Sequence, residues 1–171
     1  MIDLDTIDRL ELATLPTPVQ FCRRLTEQLG GPQIYVKRDD LTGAGAGGNK
    51  VRKLEYVLAE AVAAGADSVV SIGVTQSNPM LQLAGTAAKL GLECHCAVIT
   101  DRFGIDTPDY QLGGNYLVTQ LFGAQLHPCS KSDNQEAVVE GIAADLRKAG
   151  RRPFLVAYGI SSATGSLGYV R

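Results

Sequence analysis

The sequence has no tryptophan, only two histidines and no long run of charges of one sign. Its longest basic cluster is the pair Arg151-Arg152, and the formal net charge is −2, so we expect no nucleic-acid-binding surface. No segment reaches the roughly 20 apolar residues that a membrane helix requires. The stretch from Met1 to Asp8 carries three aspartates and no apolar run, unlike a secretory signal. We therefore expect a cytoplasmic protein without a membrane partner.

Cysteine is scarce, and its four positions are scattered: Cys22, Cys94, Cys96 and Cys129. The run Cys94-His95-Cys96 could form a metal site together with His127 and Cys129. Both clusters, however, lie in apolar runs typical of strands, whereas zinc ligands favour a Cys-x2-4-Cys spacing on a turn. Cysteine is small and apolar enough for a sheet that is covered on both faces. We therefore predict a core role for these residues and no metal site.

Short apolar runs alternate with amphipathic ones along most of the chain. Apolar residues make up 45% of the sequence and charged residues 20%, which is typical of a globular protein. The periodicity predicts helices over 51–64, 79–90, 116–122 and 133–149, the last capped by Ser132 or Asp133, and strands over 68–72, 92–100, 124–129 and 154–158. Such alternation predicts a three-layer α/β fold with a mostly parallel sheet of four strands. A helix over 21–29 and a strand over 34–36 are expected earlier in the chain.

A glycine-rich segment runs from Gly43 to Lys50. It contains the spacing Gly43-x-Gly45-x-x-Gly48 of a dinucleotide-binding loop, with Asp67 at a suitable distance beyond it. That loop must follow a buried strand directly, but here the charged run 37–40 separates the glycines from the nearest predicted strand. The segment also lacks the Gly-Lys-Ser/Thr order of a P-loop. We therefore predict that it does not bind a nucleotide.

The same segment delivers Asn49 and Lys50 to the start of a predicted helix. Asn49 is a good N-cap residue, which would place Lys50 in the first turn. The positive end of the helix dipole favours a neutral lysine amine there, and only the neutral amine attacks an aldehyde to form an imine. The glycines would let a planar ring approach the backbone closely. An exposed lysine after a flexible loop is the alternative that the spacing leaves open.

A second loop, from Gly73 to Asn78, joins a predicted strand to a predicted helix. Asn78 is expected to be the N-cap and Pro79 the first helical residue. A loop of this kind offers free backbone N–H groups and a favourable dipole to an anion, although capping alone also explains Asn78. The two loops together suit an amino acid that is bound as an imine.

These segments resemble the family of pyridoxal-phosphate (PLP) dependent D-cysteine desulfhydrases and aminocyclopropane-carboxylate deaminases, which share the fold of tryptophan synthase β subunits. The similarity spans essentially the whole chain in consistent order. The matching segments are Leu15–Pro18, Lys37–Thr42, Gly47–Glu55, Thr75–Asn78, Gly114–Leu117, Leu121–Ala124 and Gly165–Tyr169. The Gly-Gly-Asn-Lys run that ends at Lys50 is the most specific of them.

The resemblance implies a role for each matching site residue. Lys50 would form the Schiff base with PLP and move the Cα proton of the substrate, with Asn49 orienting it. Asn78 would hydrogen-bond the ring hydroxyl of the cofactor. Ser77, with the backbone amides of Gln76 and Asn78, would bind the carboxylate of a small amino acid. The implied reaction is β-elimination to pyruvate, ammonia and sulfide or a similar leaving group.

The sequence also departs from the family pattern. Pro79 and Leu81 stand where the family usually has a histidine and an arginine. The resemblance covers only about half of a typical member, so residues 1–45 would belong to an incomplete large domain, 46–160 would form the small α/β domain, and 161–171 would begin the absent half. That half would supply the phosphate-binding loop. We therefore expect loose packing of residues 1–45, self-association through the uncovered surface, and little activity; a catalytically inactive truncated relative is the alternative.

Overall fold

The computed structural model describes residues 6–103 and 107–170. Its helices and strands are β1 (Val19–Phe21), α1 (Arg23–Leu29), β2 (Tyr35–Lys37), α2 (Lys50–Ala63), β3 (Ser68–Val74), α3 (Asn78–Leu90), β4 (Glu93–Ile99), α4 (Pro108–Gln111), α5 (Gly114–Leu121), β5 (Gln125–Cys129), α6 (Gln135–Lys148), β6 (Pro153–Leu155) and α7 (Ala163–Ser166). Residues 104–106, between β4 and α4, lie outside the described residues.

Four strands form one parallel sheet in the order β5-β4-β3-β6, which confirms the predicted α/β architecture. The sheet is covered on both faces. The main core packs Val69, Cys96 and Val98 against apolar residues of α2 and α3, and on the other face Ile72 and Ile99 pack against α6. The central strands β3 and β4 are therefore almost wholly buried, as parallel strands between two helical layers usually are.

Successive side chains of β4 point to opposite faces of the sheet, so its cysteines lie on one face and its histidine on the other. Cys94 and Cys96 face the main core with their sulfurs 3.7 Å apart, and the hydrogen bond between them, together with burial, raises the pKa of Cys94. His95 points to the other face, where its Nδ1 lies 3.2 Å from Nε2 of His127. The two clusters thus lie on strands, as predicted. Within the described ranges no three His, Cys, Asp or Glu side chains are grouped to hold a metal ion.

Two predicted element boundaries were wrong for local reasons. The cap of α6 is Asn134, whose Oδ1 accepts a hydrogen bond from Ala137 N at 3.1 Å. Asp133, a predicted cap, instead accepts from Ser130 N at 2.8 Å and closes the preceding turn. The last strand ends at Leu155, because Tyr158 already belongs to a 3-10 turn.

Residues 19–37, which we call the outer segment, form a hairpin-like unit that sequence reasoning described only in part. Phe21, predicted to begin a helix, instead pairs with Tyr35 in the antiparallel β1–β2 sheet. Helix α1 has no buried residue, and every residue of β1 and β2 is exposed. The expected loose packing of the first 45 residues is therefore confirmed for the outer segment.

That expectation was wrong for the residues that precede the outer segment. Leu12 is 5% exposed and belongs to the main core. The N–H groups of Leu12 and Ala13 both donate to Oε1 of the buried Glu55, at 3.0 and 2.9 Å. Because a buried carboxylate needs such donors, this contact holds the chain against α2. No helix in the described ranges is long and apolar enough to cross a membrane.

Candidate active site

The glycine-rich loop before α2 is shaped by close backbone approaches that only glycine permits. A Cβ atom at Gly47 would lie 2.0 Å from the carbonyl oxygen of Asp40, and one at Gly48 would lie 2.2 Å from Nε2 of Gln82. Thr42, fully buried, holds the loop closed: its hydroxyl accepts from Gly48 N at 2.8 Å and lies 2.9 Å from Gly48 O. The loop therefore has a defined shape, and it does not follow a buried strand as a dinucleotide loop would.

Helix α2 begins at Lys50, but Asn49 does not cap it as predicted. Asn49 has helical backbone angles, and its side chain makes no capping bond. The N–H of Val51 instead donates to Oε1 of Gln82 at 3.0 Å, so a side chain from α3 caps α2. Asn49 is thereby free for other contacts: its Nδ2 donates to Tyr169 Oη at 2.9 Å, and its Oδ1 accepts from Lys50 Nζ at 3.4 Å.

Lys50 is a half-buried amine whose one protein contact is this weak bond to Asn49. No carboxylate in the described part of the chain pairs with it. One turn further on, Lys53 is 6% exposed and donates to Gly159 O and Ser161 Oγ, each at 3.3 Å. Burial, with a smaller contribution from the charge of Lys50, lowers the pKa of Lys53. Of the two lysines, Lys50 thus has the amine that is more available to a ligand.

The second predicted loop follows β3, and its cap also differs from the prediction. Ser77, not Asn78, is the N-cap of α3: its Oγ accepts from Met80 N at 3.3 Å. Asn78 is the first helical residue and Pro79 the second. A Cβ at Gly73 would lie 2.4 Å from Met80 Sδ, so the side chain of Met80 packs closely against the end of the strand.

The backbone of this loop leaves two N–H groups without a protein acceptor. Ser77 N donates to Val74 O at 3.0 Å, whereas the N–H groups of Gln76 and Asn78 donate to no acceptor within the described residues. Free N–H groups at a helix start attract an anion, because the helix dipole adds to their own partial charge. These are the two amides that were predicted to bind a carboxylate.

Sequence reasoning assigned no role to Asn115, although it is central to the loop. Its Nδ2 donates to Asn78 Oδ1 at 2.6 Å and to Gln76 O at 3.0 Å. The side chain of Gln76 reciprocates, since its Oε1 accepts from Asn115 N at 2.8 Å and its Nε2 donates to the carbonyl oxygens of Tyr110 and Gly113. The sequence signal for it was its position within Gly114–Leu117, one of the segments that match the family pattern.

The two loops are brought together by direct backbone contact between the glycine-rich loop and α3. A Cβ at Gly45 would lie 2.6 Å from Gln82 Cα, and one at Gly85 would lie 2.4 Å from Gly45 Cα. Gln82 lies one turn after Asn78 on α3 and caps α2 beside Lys50. The starts of α2 and α3 are therefore neighbours, which places Lys50 on the same side of the molecule as the Ser77–Asn78 helix start.

The chemistry of these groups fits PLP. The site offers an amine without an acidic partner, an amide side chain fixed by Asn115 and free N–H groups for a carboxylate. Near the end of the described chain, Gly165 N and Ser166 N both donate to Ser162, and Gly168 is pressed against the Arg52 backbone, so these groups are not available to an anion. Lys50 would hold the amine-reactive end of the cofactor, and Asn78 would contact its ring.

Comparison with known proteins agrees with this chemistry. The family described as pyridoxal-phosphate dependent enzymes matches residues 10–170. The D-cysteine desulfhydrases of Salmonella paratyphi B and Salmonella newport are each 41% identical over 167 residues, which is 98% of this chain and 50% of theirs. The chain thus spans about half the length of the curated relatives it matches.

Solved structures give the same picture. A crystal structure of an ACC deaminase homologue matches with a TM-score of 0.86 and 37% identity, covering 98% of this chain and 50% of that one. The crystal structure of a pyridoxal 5'-phosphate-dependent aspartate racemase matches with a TM-score of 0.61, and the match covers 89% of this chain and 42% of the racemase chain. Because the two sequences are only 18% identical, this match shows the fold alone.

Proposed function

Because this chain belongs to the pyridoxal-phosphate dependent enzyme family, we propose that it carries the lysine and the carboxylate-binding loop of a lyase of the D-cysteine desulfhydrase type. The reaction is β-elimination from a small amino acid, which yields pyruvate, ammonia and sulfide or a similar leaving group. Bound PLP supplies a ring that delocalises negative charge from the substrate Cα. The observation that carries the proposal is the position of Lys50 at the start of α2. Its amine contacts Asn49 and forms no ion pair within the described residues, and the hydrogen bond from Val51 N to Gln82 links this helix start to α3.

Lys50 has two tasks in this proposal. Its Nζ would hold the cofactor covalently, and once the amino group of the substrate has displaced it, the freed neutral amine would take and return the proton at the substrate Cα. Asn49 Oδ1 keeps the amine in place, and Tyr169 in turn holds Asn49. Lys53 does not compete, because it is buried and donates to Gly159 and Ser161.

The start of α3 binds the substrate carboxylate. The free N–H groups of Gln76 and Asn78 donate to it, and the Ser77 hydroxyl contributes its own proton while its oxygen continues to cap the helix. Asn78 presents its side chain to the ring hydroxyl of the cofactor, in an orientation that Asn115 fixes. Substrate and cofactor are thereby held on one side of Lys50.

Pro79 and Leu81, which stand where the family usually has a histidine and an arginine, limit the groups that the start of α3 can offer to the substrate. Leu81 is 6% exposed and Pro79 lacks an N–H, so the first turn of α3 contributes neither a proton carrier nor a cation. Proton transfer then rests on Lys50. We expect weaker carboxylate binding than a loop with an arginine would provide.

A second candidate is a folded relative that does not bind PLP fully. It is favoured by the absence, within the described residues, of a loop suited to the cofactor phosphate, which PLP enzymes need for tight binding. In this reading residues 1–45 and 161–171 are parts of a larger domain, and the chain associates through exposed apolar side chains such as Val19 and Leu29, which are 63% and 64% exposed. Both candidates are proposed to act in the cytoplasm.

Absorbance separates the two candidates. The purified chain is mixed with PLP, and spectra are recorded before and after borohydride, with D-cysteine and with Lys50→Ala. The lyase proposal predicts a band that borohydride removes, that D-cysteine perturbs and that Lys50→Ala lacks. A wild-type chain without the band supports the second candidate, and a band that persists in Lys50→Ala contradicts the role of Lys50.

A further inference from the structure

A cavity of about 390 Å³ lies on another face of α2, between that helix and the preceding chain. Its wall is formed by Leu15 and Pro16, by the end of β2, by α2 and by Gly168; the charged side chains in it are Arg9, Lys37, Arg52 and Glu55. Arg52 follows Lys50 by two residues, which is about 200° around a helix. The cavity is therefore separate from the candidate active site.

The wall has more positive than negative charge. Three cations face one carboxylate, and that carboxylate is already satisfied: Glu55 Oε2 accepts from Arg9 at 3.0 Å, and its Oε1 accepts two backbone N–H groups. Asp39, which pairs with Arg52 at 2.8 Å, is likewise saturated, and the hydrogen bond from Arg52 is the main cause of its lowered pKa. Lys37 acts on Asp39 only through its charge, which is the smallest of the causes that lower the pKa of Asp39, and it forms no ion pair with it.

Lys37 is the cation without an acidic partner. Its Nζ donates to the backbone carbonyl of Thr17, and no carboxylate in residues 6–103 or 107–170 forms an ion pair with it. An ammonium group has three protons, so donors remain for a ligand. Arg9 and Arg52 also keep N–H groups beyond those used in their ion pairs.

We propose that this cavity is a binding site for a small oxyanion, held by Lys37, Arg9 and Arg52. A phosphate or a small dicarboxylate has the charge and the acceptor oxygens that the wall requires. The size of the cavity admits either. The site does not depend on the lyase proposal, because none of its residues holds the cofactor or the substrate.

Calorimetric titration of the chain with inorganic phosphate, and separately with malonate, tests the site in low-salt buffer without PLP. One saturable site is expected for at least one of the two anions, and their relative affinities distinguish a phosphate site from a carboxylate site. Lys37→Gln should weaken binding roughly tenfold, as expected for the loss of a charged donor. Lys131→Gln makes the same change of net charge at an exposed position and should leave the affinity unchanged.

Asn78→Asp, which adds a negative charge at the start of α3, tests whether the anion binds there instead and should leave the affinity unchanged. The site is refuted if neither anion binds, if Lys131→Gln weakens binding as much as Lys37→Gln does, or if Asn78→Asp abolishes binding.

Discussion

The outer segment, residues 19–37, and the helices that carry the site differ sharply in how they are held. None of the residues of β1, α1 and β2 is buried. In α2 nine of 14 residues are buried, and in α3 eight of 13. Lys50 and the loop proposed to bind a carboxylate thus belong to a unit that this chain stabilises by its own core, whereas the outer segment contributes no buried strand or helix residue of its own.

The largest expected contrast between the two regions is in the free energy of unfolding. Leu54→Ala in α2 should cost about 2–5 kcal/mol, because the side chain is fully buried and its removal leaves a cavity. Leu29→Ala in α1, where the side chain is 64% exposed, should change stability by less than about 0.5 kcal/mol. Urea denaturation of both variants checks this, and equal losses would show that the outer segment is packed as tightly as α2.

A smaller contrast is expected from the capping of α2 by Gln82. Gln82→Leu removes the nearer acceptor of the buried Val51 N–H and leaves only Gly48 O, at 3.3 Å, so it should cost about 1–2 kcal/mol. Gln28→Leu changes an exposed glutamine of α1 and should be nearly neutral. Hydrogen exchange adds a local readout: the amides at the start of α2 should exchange faster in Gln82→Leu alone. Unchanged exchange there would mean that Gln82 does not hold the helix start.

The cap of α6, the helix on the far face of the sheet, should contribute less. Asn134→Ala removes the bond to Ala137 N and should lower the free energy of unfolding by about 1 kcal/mol. Ser132→Ala, at a position that the sequence suggested as the cap, is the matched control and should have a smaller effect. A larger loss of stability in Ser132→Ala than in Asn134→Ala would support Ser132 as the cap and contradict the structure.

The last contrast concerns pH and the histidine pair between β4 and β5. Burial lowers the pKa of both His95 and His127, so the unfolded chain binds more protons than the folded one near pH 6. The fold favours the neutral form of both histidines. Its full stability is therefore present above the pKa of a histidine in the unfolded chain, and it is lost as the pH falls towards the lower pKa of the histidines in the folded chain. Urea denaturation at pH 7.5 and 5.5 should show this loss, and the double variant His95→Gln/His127→Gln should show less of it. The carboxylates with lowered pKa, such as Asp67, respond mainly below this range.

The sequence predicted the sheet well because its strands are continuous apolar runs, and such runs are typical of parallel strands covered on both faces. It failed at helix caps. Asn49, Asn78 and Asp133 are all good capping residues. Asn78 and Asp133 each lie beside the residue that caps the helix, and backbone angles set by the tertiary structure decide between the two, whereas the start of α2 is capped by Gln82 from α3.

Other features could not be found from local sequence at all. Strand β1 has three residues and exists through its pairing with β2, so it has no periodicity of its own. Asn115 meets Asn78 across 37 positions, and Gln82 meets Val51 across 31. Such contacts depend on how α3 packs against its neighbours. The site residues themselves were located through the family resemblance, and their roles remain predictions.

The most direct test of the central claim is to find which lysine holds the cofactor. The chain is incubated with PLP, reduced with borohydride, digested and analysed by mass spectrometry. We predict that the reduced adduct lies on Lys50 and that Lys50→Ala leaves no other lysine modified to a similar extent. An adduct on Lys53 or Lys37, or one spread evenly over the exposed lysines, would contradict the account.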